Sequence, residues 1–147
     1  MSPNESLPCV LASPEAVARL ESELLGLPQV DLSTTHLVHG GMYARTILIP
    51  GGTLLTGALT EMDNICVLYG DITVTTDKGT QHLQGFNVLP AKAGAKRAGI
   101  AHADTWWTTL IPTELTDIEA IEDSMTTEAD RLHTRRALGN QTQGELT

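Results

Sequence analysis

The sequence has few of the features expected of a disulfide-stabilised, membrane-spanning or nucleic-acid-binding protein. Only two of its 147 residues are cysteines, which argues against a disulfide framework. No stretch approaches the roughly 20 apolar residues that a membrane span needs, so we expect a soluble protein with no membrane partner. Nine basic and 18 acidic side chains give a formal net charge of −9. This charge repels a phosphate backbone, so we do not expect a nucleic acid partner.

The N-terminus also lacks the basic and then apolar pattern of a secretory signal, and we therefore expect synthesis in the cytosol. Aromatic residues are scarce: two Trp, two Tyr and one Phe. The length of 147 residues and the 41% hydrophobic composition are those of one ordinary globular domain with its own core.

Periodicity divides the chain into three zones. Residues 1–30 form an N-terminal arm with a short helix, residues 31–112 form a β-rich domain, and residues 113–147 form acidic C-terminal helices and a polar tail. In the arm, Ser13 is a suitable N-cap and Pro14 suits the first helical position. We therefore predict that the first helix begins at Pro14.

The central zone consists of short runs rich in Val, Ile, Leu and Thr, separated by glycine, proline or the turn sequence Asp77-Lys78-Gly79. This pattern predicts a mainly β domain, either a sandwich or a barrel. The candidate strands are Thr35–Val38, Tyr43–Ile49, Thr53–Leu59, Asn64–Tyr69, Asp71–Thr76, Thr80–Leu83, Asn87–Leu89, Lys96–Ile100 and Thr105–Leu110.

The C-terminal zone returns to a helical pattern. Thr113 or Thr116 can cap a helix whose apolar side holds Leu115, Ile118, Ile121 and Met125. Residues 114–130 contain seven acids and no Lys or Arg. We interpret these acids as a solvated helical face, with an acidic docking surface as the alternative. Residues 127–138 favour a last short helix before the tail.

Several short motifs follow one another between His36 and Pro112. They are His36, Gly41-Met42-Tyr43-Ala44-Arg45, Ile49-Pro50-Gly51-Gly52, Thr56-Gly57, Gly70 and the stretch from Pro90 through Gly94 to Trp107. In this order they resemble the small, phage-associated branch of the cupin superfamily, over about half of the chain. The resemblance implies a single cupin-like jelly-roll β-barrel with short N-terminal and C-terminal helices, in a fold that is often paired into dimers.

The same resemblance implies that the usual metal ligands are missing. An ordinary cupin binds its metal through two histidines and a carboxylate in a first motif and a further histidine in a second. Thr60 and Met62 occupy the first two histidine positions, whereas Asp63 retains the carboxylate. Arg97 stands at the last position, and a guanidinium does not deprotonate to become a ligand. We therefore expect no metal and no other cofactor.

Five polar residues are the candidates for the barrel mouth: Tyr43, Arg45, Asp63, Arg97 and His102. Arg45 and Arg97 would bind a carboxylate or phosphate through paired N–H groups. The alternative is that each arginine pairs with Asp63 or Asp104 of the same chain.

The adjacent Trp106 and Trp107 should point to opposite faces of their strand. We expect the inward ring to belong to the core. The outward ring either anchors an interface with another subunit or packs under the C-terminal helix.

The resemblance and the missing ligands favour a non-catalytic, homo-oligomeric structural or assembly component. Other virion or assembly proteins would be its partners, and it would lie in the host-cell cytoplasm or in the virion. One alternative is a module that binds a small anionic ligand. Another is a metal-free cupin sugar isomerase or epimerase, with His102 as base and Tyr43 as acid.

Overall fold

The computed structural model describes residues 13–76 and 78–132, and in them two α-helices flank seven strands. These elements are α1 (Pro14–Leu24), β1 (Ser33–His39), β2 (Met42–Ile49), β3 (Leu54–Thr56), β4 (Asn64–Thr76), β5 (Gly79–Ala91), β6 (Ala98–Ala101), β7 (Thr105–Pro112) and α2 (Ile118–Met125). A 3₁₀ turn, Ala129–Arg131, follows α2. No helix of the described part is long and apolar enough to cross a membrane.

The strands form one curled antiparallel sheet, a half-barrel. The order of the hydrogen-bonded strands is β1-β2-β7-β4-β6-β3. The remaining strand, β5, pairs with β4 and is not part of this order. The predicted mainly β fold with short flanking helices is therefore confirmed.

Helix α1 begins as predicted. The side chain of Ser13 accepts a hydrogen bond from the Ala16 amide at 3.1 Å, and Pro14 occupies the first turn. Ala16 is buried and packs with Leu20 against Ile100 of the β6 strand. The helix is thereby fixed to one edge of the sheet.

The described residues form seven strands, fewer than the nine that the sequence predicts. Two pairs of predicted strands are each one continuous strand, β4 and β5, which stay paired through Gly70 and Gly85. A Cβ atom on Gly70 would lie 2.4 Å from Thr105 Oγ1 and 2.7 Å from Thr105 Cα. Gly70, which separates two predicted strands, lies inside β4, and its lack of a side chain allows β7 to approach. The hairpin that joins β4 to β5 is present, with Thr76 paired to Gly79; Asp77 lies outside the described residues.

The cap of α2 also differs from the prediction. Asp117, and neither threonine, is the N-cap, and its carboxylate accepts the Ala120 amide at 2.9 Å. The predicted apolar side is confirmed at Ile121 and Met125, which are buried with Tyr43 and Ile111 in one core cluster. A second cluster, Ile49, Leu68, Ile72 and Ala101, fills the inside of the curled sheet. The last predicted helix covers residues 127–138, and the positions after 132 lie outside the described residues.

Candidate ligand cavity

The curled sheet encloses a cavity of about 450 Å³. Side chains of six strands, β2 to β7, line it, and the end of α1 and residues 25–32 border it. Most of the lining is aliphatic, as represented by Leu24, Val30, Ile47, Leu55 and Ile72. A cavity of this size and polarity suits a small organic molecule.

Arg45 lines the cavity, but its charge is already balanced. Its Nη1 atom donates to Glu122 Oε2 at 2.9 Å, and both side chains are less than 10% exposed. The expectation that Arg45 pairs with Asp63 or Asp104 is therefore wrong, because its partner comes from α2. Glu122 also contradicts the interpretation of the acidic segment as a wholly solvated face.

A second buried charge cluster lies at the edge of the cavity. Lys96 Nζ contacts Glu21 Oε2 at 3.0 Å, Glu128 Oε1 at 2.7 Å and the carbonyl oxygen of Gly57 at 2.9 Å. The Lys96 side chain is only 1% exposed. We call Lys96, Glu21 and Glu128 the lysine cluster; it joins α1 and the segment after α2 to the start of β6.

Arg97 differs from both of these cations. It lines the cavity, and it forms no ion pair with any described residue. Its Nη2 makes one long hydrogen bond to the Pro90 carbonyl at 3.4 Å, whereas its Nη1 is buried with no hydrogen-bond partner among the described residues. A buried guanidinium nitrogen without a hydrogen bond is costly, so a further acceptor outside the described residues would stabilise Arg97.

Trp107 and Cys66 lie beside Arg97. The guanidinium carbon of Arg97 is 6.0 Å from the centroid of the Trp107 ring, within the range of a cation–π contact. Cys66 and Thr109 are paired across β4 and β7, and both line the cavity. Burial raises the pKa of the Cys66 thiol, and the nearby Arg97 charge opposes this in part. At neutral pH the thiol is therefore an uncharged part of the wall.

The other three predicted site residues lie outside the lining of the cavity. Tyr43 is fully buried beneath α2, and its hydroxyl forms a 2.7 Å hydrogen bond with His36 Nδ1. Burial raises the Tyr43 pKa, although Arg45 lowers it in part. Asp63 is exposed and accepts the Ala93 amide at 2.8 Å. His102 also lies outside the lining of the cavity. Only Arg45 and Arg97, of the five, line it.

His102 instead belongs to a polar cluster with Asp71 and His82. Its Nε2 is 2.7 Å from Thr73 Oγ1, and its ring meets the His82 ring edge-on with the centroids 5.4 Å apart. His82 Nε2 is 2.5 Å from Asp71 Oδ1. His102 and Tyr43 therefore do not face each other across the cavity, so these two residues do not form the acid–base pair predicted for a metal-free isomerase.

The lining of the cavity does not fit the metal site of an ordinary cupin. Among the described residues, no group of three His, Cys, Asp or Glu ligand atoms converges in the cavity. Thr60 and Arg97 line the cavity at two of the positions where an ordinary cupin has histidines. Asp63 lies outside the lining and accepts a hydrogen bond from a backbone amide. We derive no metal chemistry for this cavity.

Trp106 and Trp107 point to opposite sides of β7, as predicted. Trp107 lines the cavity, whereas Trp106 is 47% exposed on the outer face of the sheet. The register places Trp106 and Phe86 on either side of Tyr69. We call the outer apolar face the set of exposed residues Ile65, Tyr69, Phe86, Val88 and Trp106. It holds three of the five aromatic residues.

The sequence did not identify the acidic partners of Arg45 and Lys96. For Glu122 a signal was available: it lies four residues after Ile118 and three before Met125, and these spacings place it on the apolar side of α2. The pairing of Lys96 with Glu21 and Glu128 spans 75 and 32 positions, so no local pattern indicates it.

The sequence matches no protein-family profile and no curated protein. The solved structures that match include cupin and RmlC-like double-stranded β-helix proteins. A cupin superfamily protein from Desulfitobacterium hafniense is 14% identical, with a TM-score of 0.48 over 63% of this chain and 87% of that one. KdgF from a Halomonas species is 15% identical, with a TM-score of 0.49 over 62% and 88%. An RmlC-like cupin family protein from Methanocaldococcus jannaschii is 14% identical, with a TM-score of 0.45 over 56% and 81%. These similarities concern the fold alone.

Proposed function

We propose that this protein binds a small organic anion in its cavity, with the charged group on Arg97 and an apolar body against the aliphatic wall. The observation that carries the proposal is the buried Nη1 of Arg97, which has no hydrogen-bond partner within residues 13–76 and 78–132 and lies at a cavity of about 450 Å³. A carboxylate would accept hydrogen bonds from the guanidinium and remove the cost of the unsatisfied donor.

The charge balance of the lining favours one negative charge on the ligand. Glu122 neutralises Arg45, and Lys96 neutralises Glu21. Arg97 remains as the uncompensated cation among the charged side chains that line the cavity. Trp107 offers a flat apolar surface next to it. A monocarboxylate with a hydrocarbon or aromatic body fits this arrangement better than a di- or triphosphate does.

Native mass spectrometry of the untagged protein tests this proposal, both as purified and after incubation with octanoate or benzoate. We expect one anion per chain in the unmodified protein. Arg97→Met should abolish its retention, because methionine keeps much of the apolar stem and removes the donors. Lys92→Met is the matched control, since Lys92 is an exposed cation a few positions away. Bare protein under all conditions, or equal retention by Arg97→Met, would overturn the proposal.

A second role, homo-oligomeric assembly, is favoured by the outer apolar face. Phe86, Tyr69 and Val88 are 67%, 59% and 56% exposed on neighbouring strands. A contiguous exposed apolar surface of this kind typically marks a protein–protein interface. We propose a second copy of the chain as its partner. This role and ligand binding are compatible, because they use opposite faces of the sheet.

The finer parts of the assembly role depend on sequence resemblance alone. Incorporation into a virion, contact with other assembly proteins and residence in the host-cell cytoplasm all stay predictions. Sedimentation velocity of the purified protein tests the oligomer first. If the protein sediments as a monomer at every concentration, the proposed homo-oligomeric assembly role has no support.

A further inference from the structure

The cluster outside the cavity combines two imidazoles and one carboxylate. Asp71 lies in β4, His82 in β5, and His102 directly follows β6. One ligand atom from each, a ring nitrogen or a carboxylate oxygen, lies within 4.8 Å of the other two. Within residues 13–76 and 78–132 this is the one group of three His, Cys, Asp or Glu side chains with that geometry. We propose that it binds a divalent transition-metal ion of the zinc type.

The three side chains come from backbone that is already held in place. The His102 amide donates to the Asp71 carbonyl at 2.8 Å, which fixes the loop after β6 to β4. His82 lies directly opposite Thr73 in the ladder, two residues from Asp71. Thr105 Oγ1 accepts the Asp71 amide at 3.1 Å. The ligands therefore need only side-chain rotation to converge on one ion.

The rotation required is small. Ligand atoms around a tetrahedral zinc ion are about 3.4 Å apart, given metal–ligand distances of about 2.0–2.1 Å. His82 Nε2 and Asp71 Oδ1, now 2.5 Å apart, would separate by about 1 Å, and no other ligand pair, all within 4.8 Å, would close by more than about 1.4 Å. The side chains of His82 and Asp71 are 22% and 29% exposed, and His102 is exposed, so rotation meets little packing.

The chemistry of the donors defines the class of ion. Two imidazole nitrogens and one carboxylate oxygen suit zinc, cobalt, nickel or copper, and they do not suit magnesium or calcium, which prefer oxygen ligands. Three protein ligands on an exposed surface leave a fourth position for water or another molecule. Gln84 supports the carboxylate from outside, because its Nε2 donates to Asp71 Oδ2 at 3.3 Å.

Calorimetric titration of the untagged, full-length protein with zinc chloride, after dialysis against a chelator, tests the site. We expect one saturable site per chain. His102→Ala should weaken binding by at least about 100-fold, because the loss of a direct ligand exceeds the 10- to 100-fold effect of losing a supporting residue. Gln84→Ala, which removes such a residue, should weaken it about tenfold. Cobalt substitution would give an absorption spectrum that reports the coordination geometry.

His39→Ala is the matched control, because His39 is an exposed histidine of β1 outside the cluster. It should bind zinc like the unmodified protein. Thermal unfolding of each variant in the presence of chelator checks that it folds. Absence of saturable binding by the unmodified protein, or equal losses in His39→Ala and His102→Ala, would overturn the proposal. Arg97→Met should not change zinc binding, so the outcome is independent of the cavity ligand.

Discussion

Replacement of Lys96 with methionine would remove the cation at the centre of the lysine cluster. The substitution keeps most of the side-chain length and removes the ammonium group from its three acceptors: Glu21, Glu128 and the Gly57 carbonyl. The cost depends on which acceptors can reach water. Glu128 is 23% exposed and can turn outward, whereas Glu21 is 8% exposed and cannot.

Removal of one partner of a buried ion pair destabilises a protein by about 3–5 kcal/mol. We expect the lower end of that range, about 3 kcal/mol, because Glu128 can be solvated and Glu21 keeps its 3.0 Å hydrogen bond from Thr56. For a chain of 147 residues this corresponds to a fall in Tm of about 12 °C.

Urea and thermal unfolding followed by circular dichroism measure this loss. The double variant Lys96→Met/Glu21→Gln should recover about 1 kcal/mol or more, because it neutralises the stranded carboxylate. Lys92→Met, an exposed control, should stay within about 0.5 kcal/mol of the unmodified protein. A loss below about 1 kcal/mol for Lys96→Met, or a double variant no more stable than the single one, would refute the reasoning.

Two further predictions follow from the burial of Cys66 and Tyr43, and a third follows from the exposure of Phe86. In a Cys9→Ser background, iodoacetamide should modify Cys66 slowly in the folded protein and rapidly in urea, because burial raises the pKa of the thiol and shields it from the reagent. Equal rates in the two states would contradict the burial of Cys66. The Tyr43 pKa is raised on folding, so the stability that the protonated phenol contributes is complete below about pH 10 and is lost as the pH rises further. Between pH 9 and pH 11 the free energy of urea unfolding should therefore fall more steeply in the unmodified protein than in Tyr43→Phe. Phe86→Lys should reduce the sedimentation coefficient of an oligomer, whereas Leu115→Lys, at an exposed apolar position off the outer apolar face, should not; equal effects would argue against that face as the interface.

Local patterns in the sequence predict the elements well. Ser13 and Pro14 define the start of α1, and the alternation at Trp106 and Trp107 correctly assigns the two rings to opposite faces. Strand ends are predicted less well, since Gly70 reads as a break although it permits the close approach of Thr105. That contact joins residues 35 positions apart and leaves no local signal.

The candidate site is only partly predictable, because charge pairing inside a fold is a long-range property. Arg45 and Arg97 look equivalent as predicted cavity residues, yet in the part of the chain that the structure describes only Arg45 forms an ion pair. The difference depends on α2, which brings Glu122 over the sheet. The cluster of Asp71, His82 and His102 was missed for the same reason, since antiparallel pairing brings together residues that are far apart in the sequence.

The central claim, that Arg97 binds an organic anion in the cavity, is tested most directly by a fluorescence titration of the Trp106→Phe variant. In this variant Trp107, which lines the cavity, is the remaining tryptophan and reports on the cavity. We expect octanoate to bind about tenfold or more tightly than the uncharged octanamide, since a hydrogen bond to a charged group contributes about 1.5–3 kcal/mol. The preference should disappear when Arg97→Met is added. Equal affinities for the two probes, or a preference that survives the loss of Arg97, would contradict the account.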